Sequence, residues 1–456
     1  MNIVILNGSP KSSNSVTVQS MHYLALKNKT CNFEYLNIID SVKKGKEEIL
    51  KIADKVNNSD GIIWSFPVYH MLIPAHMKEF IEKIDEYNLV DKFSNKYCVT
   101  YSTSIHYYDH TAHDYMEGIC NDFDMKYLGS LSHDMKDLIK EESQKELEFF
   151  FNNFIQSIKT NELTSKRFKK TSRYNYNYKN NESEKKIKTT KRTVIVTDSI
   201  KGSNVDKMIV KYSSMIDGPI KVVNINEANF KNYCIGCCNC STHNECIYHN
   251  TDDYRKTLDY ILDNSDIIVY ACEIKDRYFS SRMKLFFDRS FCYTHIPVFK
   301  GRQIAYLVSG PVNELVSLNE IMKAYSSNET NLVGIVSDEC QDNNILNTQI
   351  ENLVSKSIHY AEQEYIKTPM FLSVCGSKLF SDAIKSNLGT IFLADYNYYK
   401  SNNLIKNESI KEKLRNIIFR YMMNKKAFQS EVKKNMYKHM ISKHKKVLEK
   451  KMNSHE

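Results

Sequence analysis

Ile3-Val4-Ile5-Leu6-Asn7-Gly8-Ser9-Pro10-Lys11-Ser12-Ser13-Asn14-Ser15 stands almost at the start of the chain, and a helical pattern follows it. A short apolar run rich in β-branched residues, a Gly/Ser/Asn loop and then a helix is how a doubly wound parallel sheet begins. In such a sheet the loop lies at the carboxyl edge, where ligands bind at the topological switch point. Its hydroxyls, backbone N–H groups and the positive end of the next helix would form an anion cradle. The loop has neither the G-x-x-x-x-G-K-[ST] of a nucleotide P-loop nor the G-x-G-x-x-G of a dinucleotide fold, so a phosphate monoester is the better guess. The alternative is an ordinary Gly-Ser-Pro turn.

Outward from this loop the pattern repeats. Strand-like Phe33–Asn37, Gly61–Ser65 and Tyr97–Tyr101, with a short strand near Tyr127, alternate with helices at Pro74–Ile84, Tyr115–Phe123 and Glu142–Ile158. The stretch from Thr171 to Arg192 is polar and without apolar periodicity, and reads as a linker. Beyond it the order recurs: strands Thr193–Thr197, Ile220–Asn224, Asp266–Ala271, Gln303–Ser309 and Leu332–Val336, with helices Val205–Met215, Tyr254–Asp263 and Arg282–Phe287 between them. Five β/α units per half fit an open sheet better than a barrel of eight. The expectation is an α/β chain with two flavodoxin-like, doubly wound, parallel five-stranded sheets in tandem. The domains would span 1–165 and 193–370, joined by a polar linker at 166–192. A helical basic extension, 371–456, would follow. In that extension Leu414, Ile417, Ile418, Tyr421 and Met422 are spaced for one apolar helical face.

Composition narrows the classes. The 456 residues carry a net charge of +9, but residues 401–456 hold 15 Lys/Arg against 5 Asp/Glu, leaving the first 400 residues close to neutral. The positive charge belongs to a tail and not to a groove, which argues against nucleic acid. No run approaches the roughly 20 apolar residues of a membrane span, and no secretory signal is visible, so a cytoplasmic protein is expected. Twelve cysteines in such a chain point to thiols or metal ligands.

A second segment, Phe66-Pro67-Val68-Tyr69-His70 followed by Ile73-Pro74-Ala75-His76-Met77-Lys78-Glu79-Phe80, joins the first loop in a recognisable pair. N-G-S-P-K-x-S-N-S after the first strand, with F-P-V-Y-x-x-x-I-P-x-x-x-K-x-F after the third, resembles the NADPH-dependent FMN reductase and iron–sulfur flavoprotein families. The resemblance implies a flavodoxin-like fold with FMN. Ser9, Lys11, Asn14 and Ser15 would hold its phosphate. Pro67, Val68 and Tyr69 would lie against the ribityl chain and ring, and Ser102, Thr103 and Ser104 would close over the ring edge. Next comes a histidine-rich stretch in which His106, His110 and His113 could share a helical face and bind a metal, line a polar wall above a flavin, or cap a helix start.

In the second half, Cys234-Ile-Gly-Cys237-Cys238-Asn-Cys240-Ser-Thr-His-Asn-Glu-Cys246 has the spacing C-x2-C-x2-C-x5-C, with Cys238 to spare. Four thiolates within thirteen residues can wrap one cubane; zinc usually asks for two C-x2-C pairs farther apart. The motif resembles the one that binds a [4Fe–4S] cluster in iron–sulfur flavoproteins, with Cys234, Cys237, Cys240 and Cys246 as ligands, and the Asp252-Asp253 after it resembles theirs too. A structural thiol loop or zinc remain alternatives. The second half departs from the flavin pattern: Asp198 stands where the first has Gly8, and an acid repels a phosphate dianion.

The expectation is therefore an FMN-dependent oxidoreductase. Electrons would pass from NAD(P)H through FMN and a [4Fe–4S] cluster to an unknown acceptor, within an internal pseudo-dimer or a homodimer. The alternatives are a clusterless NAD(P)H:quinone or nitro/azo reductase, and an electron carrier without its own small-molecule substrate.

Overall fold

In the computed structural model the chain is described over residues 1–181, 186–326, 329–386, 388–405, 414, 417–418, 421–422 and 425–453. It divides into two compact units. The first comprises Met1–Lys170, Tyr233–Cys237 and Lys426–Glu456; the second comprises Thr171–Asn232 and Cys238–Lys425.

The first unit is built on five parallel strands: β1 (Asn2–Asn7), β2 (Asn32–Asn37), β3 (Gly61–Pro67), β4 (Tyr97–Ser104) and β5 (Lys126–Asp134), in the order β2-β1-β3-β4-β5. Parallel neighbours need crossovers, and these are helices α1 (Val16–Lys27), α2 (Ile38–Lys44), α3 (Lys46–Asn57), α4 (Ala75–Glu86) and α5 (Asp109–Asp122), with α6 (Glu141–Lys159) closing the unit. β1 and β3 are apolar without alternation, as strands covered on both faces must be. One face packs Ile3, Ile5, Ile63, Val99 and Tyr101 against Met21 and Leu24 of α1 and Leu147, Phe151 and Phe154 of α6.

The second unit repeats that topology. The strand pair β6 (Ile187–Lys188) and β8 (Ile216–Asp217) stands apart from its main sheet of β7 (Thr193–Thr197), β9 (Ile220–Asn224), β10 (Ile267–Glu273), β11 (Gln303–Ser309) and β12 (Asn331–Ser337). The order β12-β11-β10-β7-β9 is again 2-1-3-4-5 when each sheet is numbered from its own first strand, and every pairing is parallel. The helices are α7 (Asn204–Ser214), α8 (Tyr254–Asp263), α9 (Ser281–Ser290), α10 (Val316–Tyr325), α11 (Asn343–Glu362), α12 (Phe371–Ser386) and α13 (Leu393–Ser401). Two flavodoxin-like sheets in tandem are thus present.

Several segments differ from the sequence reading. Helix α5 begins at Asp109 rather than Tyr115, so it absorbs part of the histidine-rich stretch, and β5 runs for nine residues. The polar stretch read as a linker belongs to the second unit, where its tyrosines act as anchors. Tyr178 is wholly buried with its hydroxyl on Asn347 Oδ1 at 2.5 Å, Tyr176 bonds Asn343 at 2.7 Å and Tyr174 bonds Asp338 at 3.0 Å. The basic extension is also divided: α12 and α13 go with the second unit, while α14 (Lys426–Asn453) goes with the first. There Ile441 and His444 are buried, Val447 and Leu448 join the core cluster, and His444 Nε2 lies 2.8 Å from the Met135 carbonyl. Leu414, Ile417, Ile418, Tyr421 and Met422, spaced for a packed face, are exposed. Among the described residues no helix is long and apolar enough to cross a membrane.

Candidate functional site

The loop after β1 is held open by its own backbone. Asn7 Oδ1 accepts the Ser9 N–H at 3.0 Å, and Gly8 N–H donates to the Ser65 carbonyl of β3 at 2.8 Å. Successive turns, Ser12 N to Ser9 O at 3.2 Å and Asn14 N to Lys11 O at 3.0 Å, then coil the chain into α1. A Cβ on Gly8 would fall 2.4 Å from Met77 Sδ, so only glycine lets the loop pass this close to α4. Ser9 is 1% exposed, and its Oγ has no hydrogen-bond partner. Ser15 is buried at the N-cap of α1 without capping it through its side chain, and the first turn of the helix carries no acid. An orphaned buried hydroxyl and an uncompensated helix N-terminus ask for the same thing, an anion. The residues present therefore fit a phosphate group, with Lys11 and Asn14 half-buried on the same loop.

The loop after β3 is rigid. Tyr69 and Leu72 exchange backbone hydrogen bonds at 2.8 and 3.0 Å across His70 and Met71, both in the left-handed region at φ 41° and 62°. That two-residue turn, tied down by the Thr111 hydroxyl on the Met71 carbonyl at 2.5 Å, leaves Pro67, Val68 and Tyr69 half-buried. Val68 N–H donates to the Thr103 carbonyl at 3.3 Å, fixing the loop to β4.

Ser102 and Thr103, expected at a ring edge, are instead buried inside β4 with their hydroxyls committed elsewhere. Ser102 Oγ lies 2.8 Å from His113 Nε2 and 3.1 Å from Ser132 Oγ; Thr103 Oγ1 lies 2.6 Å from Thr17 Oγ1. Only Ser104, at the strand end, remains partly open, accepting the His106 N–H at 2.8 Å. Side chains alternate along a strand, so a run of three hydroxyl residues cannot all face one ligand.

The three histidines do not converge. His113 is buried between Thr100 Oγ1, 2.9 Å from Nδ1, and Ser102; burial lowers its pKa to about 4, so it is neutral. His106 pairs with Asp109 at 2.8 Å, a hydrogen bond that raises its pKa, and Asp109 also accepts from Ser132 at 2.6 Å. His110 stacks beside Tyr108 at 5.6 Å. Among the described residues no group of three His, Cys, Asp or Glu side chains is arranged to hold a metal ion.

Tyr233–Cys237 belongs to the first unit. Tyr233 hydrogen-bonds Glu79 and sets its ring edge-on to His76 at 5.7 Å, and His76 Nε2 in turn lies 3.2 Å from the Gly8 carbonyl. Gly236, at φ 61°, passes so close that a Cβ would lie 2.1 Å from Tyr69 Oη and 3.0 Å from Lys11 Cε. Cys234 and Cys237 thus flank a glycine packed on both candidate flavin loops. Cys238, Cys240 and Cys246 belong to the second unit, with Cys240 buried. Nothing in the spacing of the cysteines signals this; the glycine between the first two is the only hint of a close approach.

The second unit's edge is arranged differently. Asp198, the counterpart of Gly8, takes the Ser280 hydroxyl, and burial raises its pKa. Asp338, wholly buried at the end of β12, accepts from Tyr174 at 3.0 Å, Gly310 N–H at 2.9 Å, and Asn204 and Ser309 at 2.7 Å each.

Comparison with known proteins follows this geometry. Residues 1–131 match the model of the family described as NADPH-dependent FMN reductase. The chain is 27% identical over 182 residues to an iron–sulfur flavoprotein of Archaeoglobus fulgidus, covering 38% of this chain and 80% of that protein. Among solved structures, the flavoenzyme NAD(P)H:(acceptor) oxidoreductase FerB from Paracoccus denitrificans is 17% identical, covering 35% of this chain and 97% of its own, with a TM-score of 0.29. General stress protein 14 from Treponema denticola, solved in complex with FMN, is 12% identical over 35% of this chain and 98% of its own, with a TM-score of 0.27. The family match spans both loops built above, so residues 1–131 are similar to the NADPH-dependent FMN reductase family.

Proposed function

We propose that the first unit binds FMN and that the chain passes electrons from NAD(P)H to an acceptor through a [4Fe–4S] cluster on Cys234, Cys237, Cys240 and Cys246. The observation that carries the flavin reading is the buried, unpartnered Ser9 Oγ beside the acid-free start of α1. Ser9, Ser15 and Asn14 would bind the phosphate with the helix N-terminus, Lys11 would supply positive charge, and Pro67, Val68 and Tyr69 would orient the ring system. Ser104 would lie at the ring edge, whereas Ser102 and Thr103 would act by holding β4 in register with α5 and α1. When bound, the flavin would take hydride from NAD(P)H and the cluster would carry electrons singly. The cluster reading is supported by the cysteine spacing and by the packing of Gly236 on Tyr69, which puts Cys237 a single residue from the flavin loops.

The test is to purify the protein without oxygen and measure its absorbance spectrum, flavin, iron and acid-labile sulfide on one sample. The expected result is one FMN per chain and about four irons, the content of one cubane, with NAD(P)H oxidised on mixing. Flavin without iron would leave a clusterless quinone or nitro/azo reductase; both cofactors with negligible turnover of small acceptors would leave an electron carrier. A preparation without flavin would overturn the reading.

A further inference from the structure

We propose that the second unit docks on an anionic lipid surface, through the exposed apolar start of α12 and an apolar helical stripe that ends just before Lys425. The proposal stands apart from the flavin reading and concerns residues of the second unit alone.

Twelve of the 22 large apolar side chains that stand exposed among the described residues lie between Tyr365 and Met422 of the 456-residue chain. Surfaces scatter such residues singly as a rule, and a concentration of them marks an interaction site. Met370, Phe371, Leu372 and Val374 are 46–77% exposed, the last three on the first turn of α12. At 3.6 residues per turn those three spread over about 160° of the helix, whereas packing on one core asks for a stripe of about 100°. The other end of the same helix is anchored, with Ile384 wholly buried in a cluster with Phe392 and Tyr396. α12 thus keeps one end in the unit and presents an apolar end around which a fluid apolar medium can close.

The second element is the stripe. Leu414, Ile417, Ile418, Tyr421 and Met422 are helical and exposed, at the i, i+3, i+4, i+7, i+8 spacing of one face. In the sequence Lys411, Lys413, Arg415 and Arg420 are interleaved with them. Apolar residues on one face, Lys and Arg beside them and an aromatic hydroxyl such as that of Tyr421 are what a helix lying in the plane of a bilayer surface carries. Among the described residues no helix is long and apolar enough to cross a membrane, so the mode is interfacial.

Charge decides the kind of lipid. From Tyr365 to Met422 there are nine Lys/Arg against four Asp/Glu. Two of those acids are already matched, Asp382 by Lys378 at 2.7 Å and the wholly buried Asp395 by His295 at 2.6 Å. Each Lys or Arg beside an anionic leaflet adds an attraction that a zwitterionic leaflet does not supply. An acidic protein would answer the charge and leave the apolar turn of α12 in water.

The test is sedimentation of the full chain with vesicles of phosphatidylcholine, with and without phosphatidylglycerol. The expected result is binding to the vesicles that contain phosphatidylglycerol, about tenfold or more tighter than to phosphatidylcholine alone. Phe371→Ser with Leu372→Ser, and separately Ile417→Asn with Ile418→Asn, should each weaken it about tenfold or more, the worth of burying such side chains. All four positions are exposed, so the fold does not depend on them. Phe371→Trp gives a direct readout: brominated lipid should quench the new tryptophan, while Trp64, the one native tryptophan, is wholly buried. Failure to bind phosphatidylglycerol vesicles, binding that both double variants retain in full, or a Phe371→Trp signal unchanged by brominated lipid overturns the proposal. Failure to bind together with a mass in solution that rises with concentration, and falls back in the variants, would assign the face instead to a second copy of the chain.

Discussion

The two units share one sheet and have opposite edges. Both run their strands in the order 2-1-3-4-5, and both bury their first, third and fourth strands. At the carboxyl edge of the first unit stand Gly8, an unpartnered Ser9 hydroxyl and a helix start without an acid. At the same edge of the second stand Asp198 and Asp338, each already occupied by donors from its own unit. Asp338 alone satisfies four donors, about as many as a carboxylate can accept. The contrast teaches that a doubly wound core can be kept while its ligand edge is changed, because packing lives in the strands and chemistry in the loops.

The comparison can be broken most directly at Gly8. Gly8→Asp copies the second unit's acid into the first. At an effective dielectric of about 20, a carboxylate about 4 Å from a phosphate charge costs roughly 4 kcal/mol, about a thousandfold in affinity. The expected outcome is loss of bound flavin, greater than in Gly8→Ala, which brings the same Cβ against Met77 without the charge, while the reciprocal Asp198→Gly gains none because Asp338 still closes that edge. More than one flavin per chain in Asp198→Gly would break the comparison.

A smaller effect is expected from pH. His113 is neutral in the folded first unit, with its pKa near 4 against the ordinary 6.5. As pH falls below 6.5 the unfolded chain takes up a proton that the folded one refuses until about pH 4, so stability declines across that window. About 3 kcal/mol is at stake, from roughly 1.4 kcal/mol per unit. Urea unfolding at several pH values, compared with His113→Asn, should show a shallower acid-side decline in the variant; parallel declines would mean that other groups control acid unfolding.

The smallest effect sharpens the contrast. Ser9→Ala should weaken FMN binding about tenfold, the worth of one hydrogen bond to a charged group. It should leave the flavin-free protein as stable or slightly more so, because the buried hydroxyl has no partner there. Fluorescence titration and thermal unfolding of the flavin-free protein check the two halves of that expectation. Ser199→Ala in the second unit should change flavin binding not at all.

Much of the fold was legible because buried parallel strands announce themselves as apolar runs: Thr193–Thr197 and Gln303–Ser309 fall on the expected residues. What stayed hidden was hidden for physical reasons. Tyr174, Tyr176 and Tyr178 alternate with Asn and Arg neighbours, so a segment that contributes one fully buried anchor has the composition of a linker. Helix α11 did carry a signal, with Leu346, Ile350, Leu353, Val354 and Ile358 on one face, but its Asn-rich start resembles a loop. In the candidate site, Gly8 and Ser9 were readable as loop chemistry. The commitments of Ser102 and Thr103 were not, since the hydroxyls that claim them come from α1 and β5 and the imidazole from α5.

The discontinuity of the first unit bears on how the protein is made. Its sheet is complete in the chain by Lys170, yet α14, which covers α1 and adds Val447 and Leu448 to the same core, begins only at Lys426. At a synthesis rate of roughly 5–20 residues per second, about 13 to 50 s separate the two. Through that interval the nascent first sheet must wait with one helix face uncovered, so α14 acts as a latch that can close only after the second unit has been made.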